Sequence, residues 1–442
     1  MNRMVVAGVL TAAILAGNPY QVHVAAALAD AQSVSPASRS QLLYLLAQGE
    51  DDLPAVSYAI NAVSRTRVIR QPKIVGPNLL RVQLAWLYGT DSKAAKEILK
   101  AREALSEGYF TTLDATGQIR LGLSPEYAQL QQVCYSAIPL MRADAFVAQV
   151  LGEAKHYYAW LGTPRKQVDF YRGLGLDVSL VEGITAQLEA SIGASKITEA
   201  DRIVLNMNAP LGPVLVTLDV DKEKQKTRTN NRSVAPAILP KGYRFQFDAQ
   251  EVFALKSNGF WQTALFNAKG ERQNAVPPGI ATDRYGTSGH GEVVPGISCF
   301  RCHEREGNAS IQPFKDAQVL VPSVGHPDDI ERLSATHDAD RMADFVTLGG
   351  QIYIKAISRA TAGFVKEGQH QRAMLPTEAT DAVVGVYEQF IAPVTLQTAA
   401  REMGLPEAEA VQRLKAAGAY NLAGNETVTR DEWETTWRAI QW

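Results

Sequence analysis

The chain has 442 residues, with 44 Lys and Arg against 46 Asp and Glu for a formal net charge of −2. That near-neutral balance carries no polyelectrolyte signal and argues against nucleic acid or anionic membrane surfaces as general partners. With 46% hydrophobic residues and only three cysteines, the chain can bury sizeable cores, is long enough for two or three domains, and is no disulfide scaffold.

The start of the chain reads as an export signal. Met1-Asn2-Arg3 carries one positive side chain, Met4 to Gly17 is uncharged and apolar, and small residues follow at Ala25-Ala26-Ala27-Leu28-Ala29. A Sec-type signal peptide over residues 1–29 is expected, cut after Ala27 or Ala29, with an uncleaved N-terminal anchor as the other reading. The apolar run is short for a bilayer crossing and no later stretch reaches that length, so the mature chain has no expected transmembrane span. The expected location is periplasmic or secreted.

Residues 30–202 are expected to form a mainly helical N-terminal domain. Gln41 to Leu46 and Leu53 to Val63 show apolar residues at helical spacing, which predicts two helices over 39–66. Leu80 to Trp86 begins with strand alternation. A helix over 94–105 follows, capped by Thr90 or Asp91, then helix through 125–152, and Thr163-Pro164 reads as an N-cap with Pro at the first helical position. Cys134, in Val133-Cys134-Tyr135, reads as a buried free thiol on a helix.

Residues 203–285 change character. Val214 to Leu218, Tyr243 to Phe247, Glu251 to Leu255 and Phe260 to Phe266 are strand-like, with Lys269-Gly270 as a turn and Asp219 to Arg232 as a solvated loop. A small antiparallel β-sheet is predicted. Residues 286–442 return to helical periodicity at 338–345, 379–390, 396–403, 407–417 and 431–440, with one strand pattern at Gln351 to Ile354. The fold class is therefore α+β, mainly α.

The chemistry sits at Cys299-Phe300-Arg301-Cys302-His303. A C-x-x-C-H run reads as the covalent attachment site of a c-type haem. Two thiols a helical turn apart reach the two vinyl groups of one porphyrin, and the adjacent imidazole falls under the iron as proximal ligand. A structural zinc site wants four nitrogen or sulfur ligands, yet the remaining cysteine, Cys134, lies far upstream. A thioredoxin-like pair belongs at the start of a helix in a βαβ unit, whereas turn residues precede Cys299. One haem c, held by thioethers from Cys299 and Cys302 with His303 on the iron, is the cofactor expected.

The sixth ligand decides what such an iron does. Met374, in Arg372-Ala373-Met374-Leu375-Pro376, stands before a helix as a cytochrome methionine does. Met342 lies within a helical pattern and reads as packing, His326, His337 and His370 are the nitrogen alternatives, and an open position stays possible chemistry. Phe253, Phe260, Trp261, Phe266 and Tyr285 crowd the region before the motif, either as an ordinary aromatic core or as a sheet shielding the porphyrin from water.

The C-x-x-C-H with a downstream Met-x-Pro and helix resembles the mono-haem cytochrome c superfamily over residues 286–392. The wider layout is similar to large secreted bacterial proteins with a long N-terminal region before a single c-type haem site. The stretches that carry this likeness include Asp52-Leu53-Pro54-Ala55, Arg142-Ala143-Asp144-Ala145-Phe146 and Ser257-Asn258-Gly259-Phe260. The resemblance implies an α-helical cytochrome c-like C-terminal domain with a helical extension, following a β-rich segment that packs near the haem. The expectation is an exported cytochrome transferring single electrons to a redox partner protein. The alternative is a haem peroxidase or small-ligand-binding haem protein with an open sixth position. No Ser-His-Asp cluster, Walker loop or H-E-x-x-H appears, so hydrolase readings have little support.

Overall fold

The computed structural model describes residues 19–49, 52–105, 111–113, 119–121, 125–176, 203–221, 223, 247–283, 285–289, 291–304, 339–367 and 370–440. The chain is α+β, and its elements fall into two compact units that are each assembled from separated stretches of sequence: residues 1–57, 70–149 and 385–442 in one, 58–69 and 150–384 in the other.

In chain order, α1 (Pro19–Ser33) leads to β1 (Leu42–Leu46), α2 (Asp52–Ala62), β2 (Lys73–Gly76), β3 (Leu79–Gln83) and α3 (Ser92–Arg102). The predicted helix over Gln41 to Leu46 is instead β1. Its five apolar residues are all buried, and a continuous apolar run without a polar face suits a strand enclosed on both sides as well as it suits a helix. Helix α3 begins as expected, with the Asp91 carboxylate accepting from the Lys93 and Ala94 amides at 2.9 and 3.0 Å. A small ribbon, β4 (Thr111–Leu113) and β5 (Ile119–Leu121), follows.

The helix predicted through 125–152 is broken into α4 (Pro125–Cys134), β6 (Leu140–Arg142) and α5 (Ala143–Gly152). Tyr135, at a φ of 49°, ends the first piece. Helices α6 (Ala154–Leu161) and α7 (Gln167–Gly173) come next. The N-cap position of α7 is Lys166, not Thr163, and its side chain makes no capping hydrogen bond.

Strands β7 (Ile203–Ala209), β8 (Gly212–Asp219), β9 (Ala249–Leu255), β10 (Trp261–Asn267) and β11 (Arg272–Gln273) precede α8 (Ile297–Glu304) and α9 (Ala339–Thr361). The strand expected at Gln351 to Ile354 lies inside α9, while Tyr243 to Gln246 lies outside the described residues. A ribbon, β12 (Val365–Glu367) and β13 (His370–Arg372), leads to α10 (Pro376–Ile391), α11 (Leu396–Met403), α12 (Glu407–Ala416) and α13 (Arg430–Ala439).

In the first unit the sheet order is β2-β3-β1-β6, with β1 antiparallel to β3 and parallel to β6. Helix α1 packs into this unit: Val24, Ala27 and Ala31 are fully buried, and Asp30 accepts from Arg81 at 2.9 Å and from the Tyr44 hydroxyl at 2.8 Å. These residues overlap the stretch expected to leave with a signal peptide, because the small residues that resemble a cleavage site are also those that let a helix pack closely. Helices α11 to α13 enclose their own core around Met403, Leu414, Leu422, Trp433 and Trp437. Cys134 is a fully buried free thiol at the end of α4, and burial pushes it up to about 12.

The second unit is built on an antiparallel sheet in the order β11-β10-β9-β8-β7. The β9–β10 pairing runs from Trp261 opposite Leu255 to Asn267 opposite Ala249. The turn between them needs Gly259, at a φ of 87°, where a side chain would meet Ala356 and Ile352 of α9. From the same turn Lys256 sends its buried ammonium to the carbonyls of Asn61, Ala62 and Ser64 at 2.9, 2.7 and 2.9 Å. It thereby caps the C-terminal end of α2, where orphan carbonyls and the helix dipole favour a cation. Burial lowers its pKa well below the ordinary lysine value.

Candidate functional site

The C-x-x-C-H motif occupies α8, an eight-residue helix, Ile297 to Glu304. It begins after Pro295-Gly296, and Gly296 is obligatory: its φ is 89°, and a Cβ there would stand 2.5 Å from the Leu151 carbonyl oxygen. The Gly296 amide donates to Thr263 Oγ1 on β10 at 2.9 Å. The Thr263 amide donates in turn to the Tyr157 hydroxyl at 3.0 Å. The entry to α8 is thus tied to the sheet and to α6 by groups that all have partners.

The loop before the helix is organised by Asp283. Its carboxylate accepts from the Ser288 amide at 3.0 Å and the Tyr285 amide at 3.2 Å, and from the Ser298 hydroxyl at 2.9 Å. Ser298 Oγ accepts from the Val294 amide at 3.2 Å. Farther along, Arg301 lies over the Tyr285 ring at 5.8 Å and donates to Thr287 Oγ1 at 3.3 Å. Both intervening residues of the C-x-x-C spacer therefore have structural work: Arg301 holds the loop, and Phe300 holds the core.

Phe300 is 3% exposed. Its ring meets Tyr58 edge-on at 5.6 Å and Tyr157 at 6.4 Å. Tyr58 meets Phe260 at 5.3 Å, and its hydroxyl is hydrogen-bonded to that of Tyr353. Phe260 and Trp261 flank Tyr353 at 5.7 and 6.4 Å. Phe266 packs instead on Phe170 at 5.7 Å. Of the aromatic residues singled out in the sequence, Phe260 and Trp261 thus join the cluster that reaches Phe300 through Tyr58, and Phe266 does not.

Helical geometry puts Cys299, Cys302 and His303 on one side, one turn apart. Both cysteines are free thiols, Cys299 buried and Cys302 partly exposed. His303 is partly exposed, and the Phe253 ring of β9 stands against its imidazole, with centroids 4.4 Å apart at 67°. Cys299 Sγ donates to Glu251 Oε1 at 3.2 Å. Burial, then the Glu251 carboxylate, holds that thiol well above its ordinary pKa. Glu251 itself is 4% exposed, and its amide donates to Thr217 Oγ1 at 3.3 Å. Sequence reasoning missed both Glu251 and Asp283. Glu251 leaves one clue, an acidic residue among the apolar residues of a strand.

This donor set fits a covalently held haem: two unoxidised thiols one turn apart, the next residue an imidazole, and all three on a helix fixed at its entry. Met374 sits elsewhere in the same unit, in the turn between β13 and α10. It is 9% exposed, and its amide donates to Thr361 Oγ1 at the end of α9 at 3.1 Å. Arg372 and Glu378 clamp that turn with two contacts of 2.7 Å, and Glu378 also accepts from the Leu375 amide at 2.8 Å. The Arg372 fork pulls the Glu378 carboxyl down to about 2.

His370 heads β13, the Met342 backbone lies in α9, and His326 and His337 lie outside the described residues. Among the described residues no group of three or more His, Cys, Asp and Glu is placed to hold a metal ion, and no helix is long and apolar enough to cross a membrane. No family model, curated protein or solved structure matches the chain, so its function is argued from the residues of this site.

Proposed function

We propose that this chain is an exported c-type cytochrome that holds one haem and passes single electrons to a redox partner protein. The observation that carries the reading is the pair of free thiols on α8, one turn apart, followed directly by an imidazole already oriented by Phe253. Cys299 and Cys302 would anchor the haem through thioethers, and His303 would be its proximal ligand. Haem iron supplies one-electron redox chemistry when bound.

The chain's own residues prepare that site. Gly296, Thr263 and Asp283 fix the start of α8, so the three donors are presented from a rigid element. Phe300 and its tyrosine neighbours exclude water from the inner side of the helix, and Phe253 limits rotation of the His303 ring. Met374 is the proposed second axial ligand, on a turn clamped by Arg372 and Glu378. The helices from α8 onward make the proposed cytochrome c-like region, residues 286–442.

Export remains part of the proposal, with periplasmic or secreted location. The burial of Val24 and Ala27 favours a cut at or before Pro19 if a leader is removed, because a cut after Ala27 or Ala29 would remove the buried face of α1.

The test is a pyridine haemochrome assay together with oxidised and reduced optical spectra, on protein made in a strain with intact cytochrome maturation. One covalent haem and a six-coordinate low-spin spectrum are expected. Cys299→Ala or Cys302→Ala should lose most of the haem, and Met374→Ala should lose the methionine-to-iron charge-transfer band. A haem-free product would overturn the reading. A high-spin ferric spectrum that responds to cyanide or peroxide would turn it into the open-position alternative.

A further inference from the structure

We propose that Glu251 is a positioning residue for the motif: by accepting the Cys299 S–H it keeps that thiol protonated and turned into the sheet, so that Cys299 and Cys302 remain a dithiol instead of closing into a disulfide. The inference rests on the haem reading only in saying what the dithiol is kept for. The contact itself, 3.2 Å between Sγ and Oε1 inside the core, is independent of any cofactor.

A C-x-x-C pair is ordinarily prone to closure, because the spacing lets one thiolate attack the other sulfur once it is activated. Here the two thiols are in different surroundings. Cys302 is partly exposed and Cys299 is buried. Among the described residues the groups that face Cys299 are Glu251 on β9, Thr263 on β10, Tyr157 and Tyr158 on α6 and Cys302 on its own helix. The Val294 carbonyl oxygen lies farther off, at 3.9 Å. Burial opposes ionisation of the thiol first, Glu251 makes the short contact with it and opposes ionisation further by charge and by hydrogen bond, and the Thr263 contact works the other way.

Glu251 is itself held in place. Its amide is fixed on Thr217, whose hydroxyl donates to Asp219 at 2.9 Å. All three residues are buried.

Glutathione disulfide is a suitable oxidant for the test, and the steps balance. Cys302 gives up its proton and attacks one sulfur of the oxidant, forming a mixed disulfide and releasing one glutathione thiol. Closure then requires Cys299 to give up its proton, attack the Cys302 sulfur and expel the second glutathione. In total two protein thiols are oxidised and one disulfide is reduced to two thiols. Glu251 acts on the second step, in which Cys299 must lose its proton.

The experiment uses the full chain isolated without haem, incubated with glutathione disulfide across about pH 6 to 9 and read by intact mass. The wild type is expected to accumulate the species with one bound glutathione. Glu251→Gln, with native circular dichroism, is expected to close into the internal disulfide about tenfold faster near neutral pH, one unit of thiol pKa being tenfold in thiolate. That difference should shrink as pH rises, and Glu251→Asp should restore most of the slow closure. Equal closure rates in the wild type and Glu251→Gln would overturn the proposal. So would a wild-type closure rate that has levelled off by about pH 8, a measurement that needs no variant to fold. The haemochrome assay on separately matured protein reads the function. Slow closure without haem sinks the cytochrome and leaves Glu251 in its role, and haem with equal closure does the reverse.

Discussion

Arg142 and Glu402, from distant parts of the sequence, meet at 2.7 Å inside the first unit with almost no solvent contact. Arg142 also pairs with Asp144, and Glu402 is shared by Arg430 at 2.9 Å and the Trp433 indole at 2.6 Å. Two guanidinium groups and two carboxylates thus compensate one another away from water. Burial alone would raise the Glu402 carboxyl, but Arg142 and Arg430 outweigh it and hold the group below its ordinary value.

Removing one member strands the others. Glu402→Gln is expected to cost about 3–5 kcal/mol, the range for breaking a buried pair from one side, measured by urea denaturation at neutral pH. Because the folded carboxyl lies below its unfolded value of 4.5, its contribution is present above that pH and is lost as pH falls further. Wild type and variant should therefore converge in acid.

Asp52 predicts the opposite sign. It is 1% exposed, its Oδ1 has no hydrogen-bond partner among the described residues, and Oδ2 accepts from the Gln48 amide at 2.5 Å. Burial raises it from 3.8 to about 6, and neighbouring Asp144 adds to the rise. Its protonated form is the one the fold prefers, so stability is full below the unfolded value and falls as pH rises through about 6. Asp52→Asn keeps an acceptor for Gln48 and should gain about 1–3 kcal/mol at pH near 8, with no gain below pH near 4. Chemical denaturation at the two pH values checks it.

Gly296→Ala should fail locally. The substitution puts a methyl group 2.5 Å from the Leu151 carbonyl at a φ of 89°. A loss of about 1–3 kcal/mol is expected from the strained backbone, together with poorer haem retention than the fall in stability alone would give. Melting temperature and haemochrome yield, measured on the same preparations, separate the two effects.

The mature N-terminus is a fourth test. If export removes a leader, the product should begin at or before Pro19, because Tyr20 donates to the Arg401 carbonyl at 2.8 Å and Val24 and Ala27 are fully buried. Intact-mass measurement of secreted protein decides this. A product beginning after Ala29 would show that α1 is dispensable to the fold.

Much of this was legible in the residues. The strands at Val214 to Leu218, Glu251 to Leu255 and Phe260 to Phe266, the Asp91 cap and the helices near the C-terminus follow from local composition, periodicity and capping, which need no tertiary knowledge. Leu42 to Leu46 misleads because a fully apolar run has no face, so the decision between helix and strand passes to its neighbours β3 and β6. Gln351 to Ile354 alternates by accident inside a longer helix. The C-x-x-C-H motif was visible because all of its residues lie within one turn and a half of a single helix. Glu251 was not, because its meaning depends on the register of β9 against α8, which a single sequence does not display.

The interleaving of the two units sets an order of events. Residues 58–69 and 150–384 interrupt the first unit, whose Arg142 finds Glu402 only beyond residue 385. The buried Arg142 therefore has Asp144 beside it from the start, but its second partner arrives only with the last stretch of chain, and a product truncated at residue 384 would leave that guanidinium half-compensated.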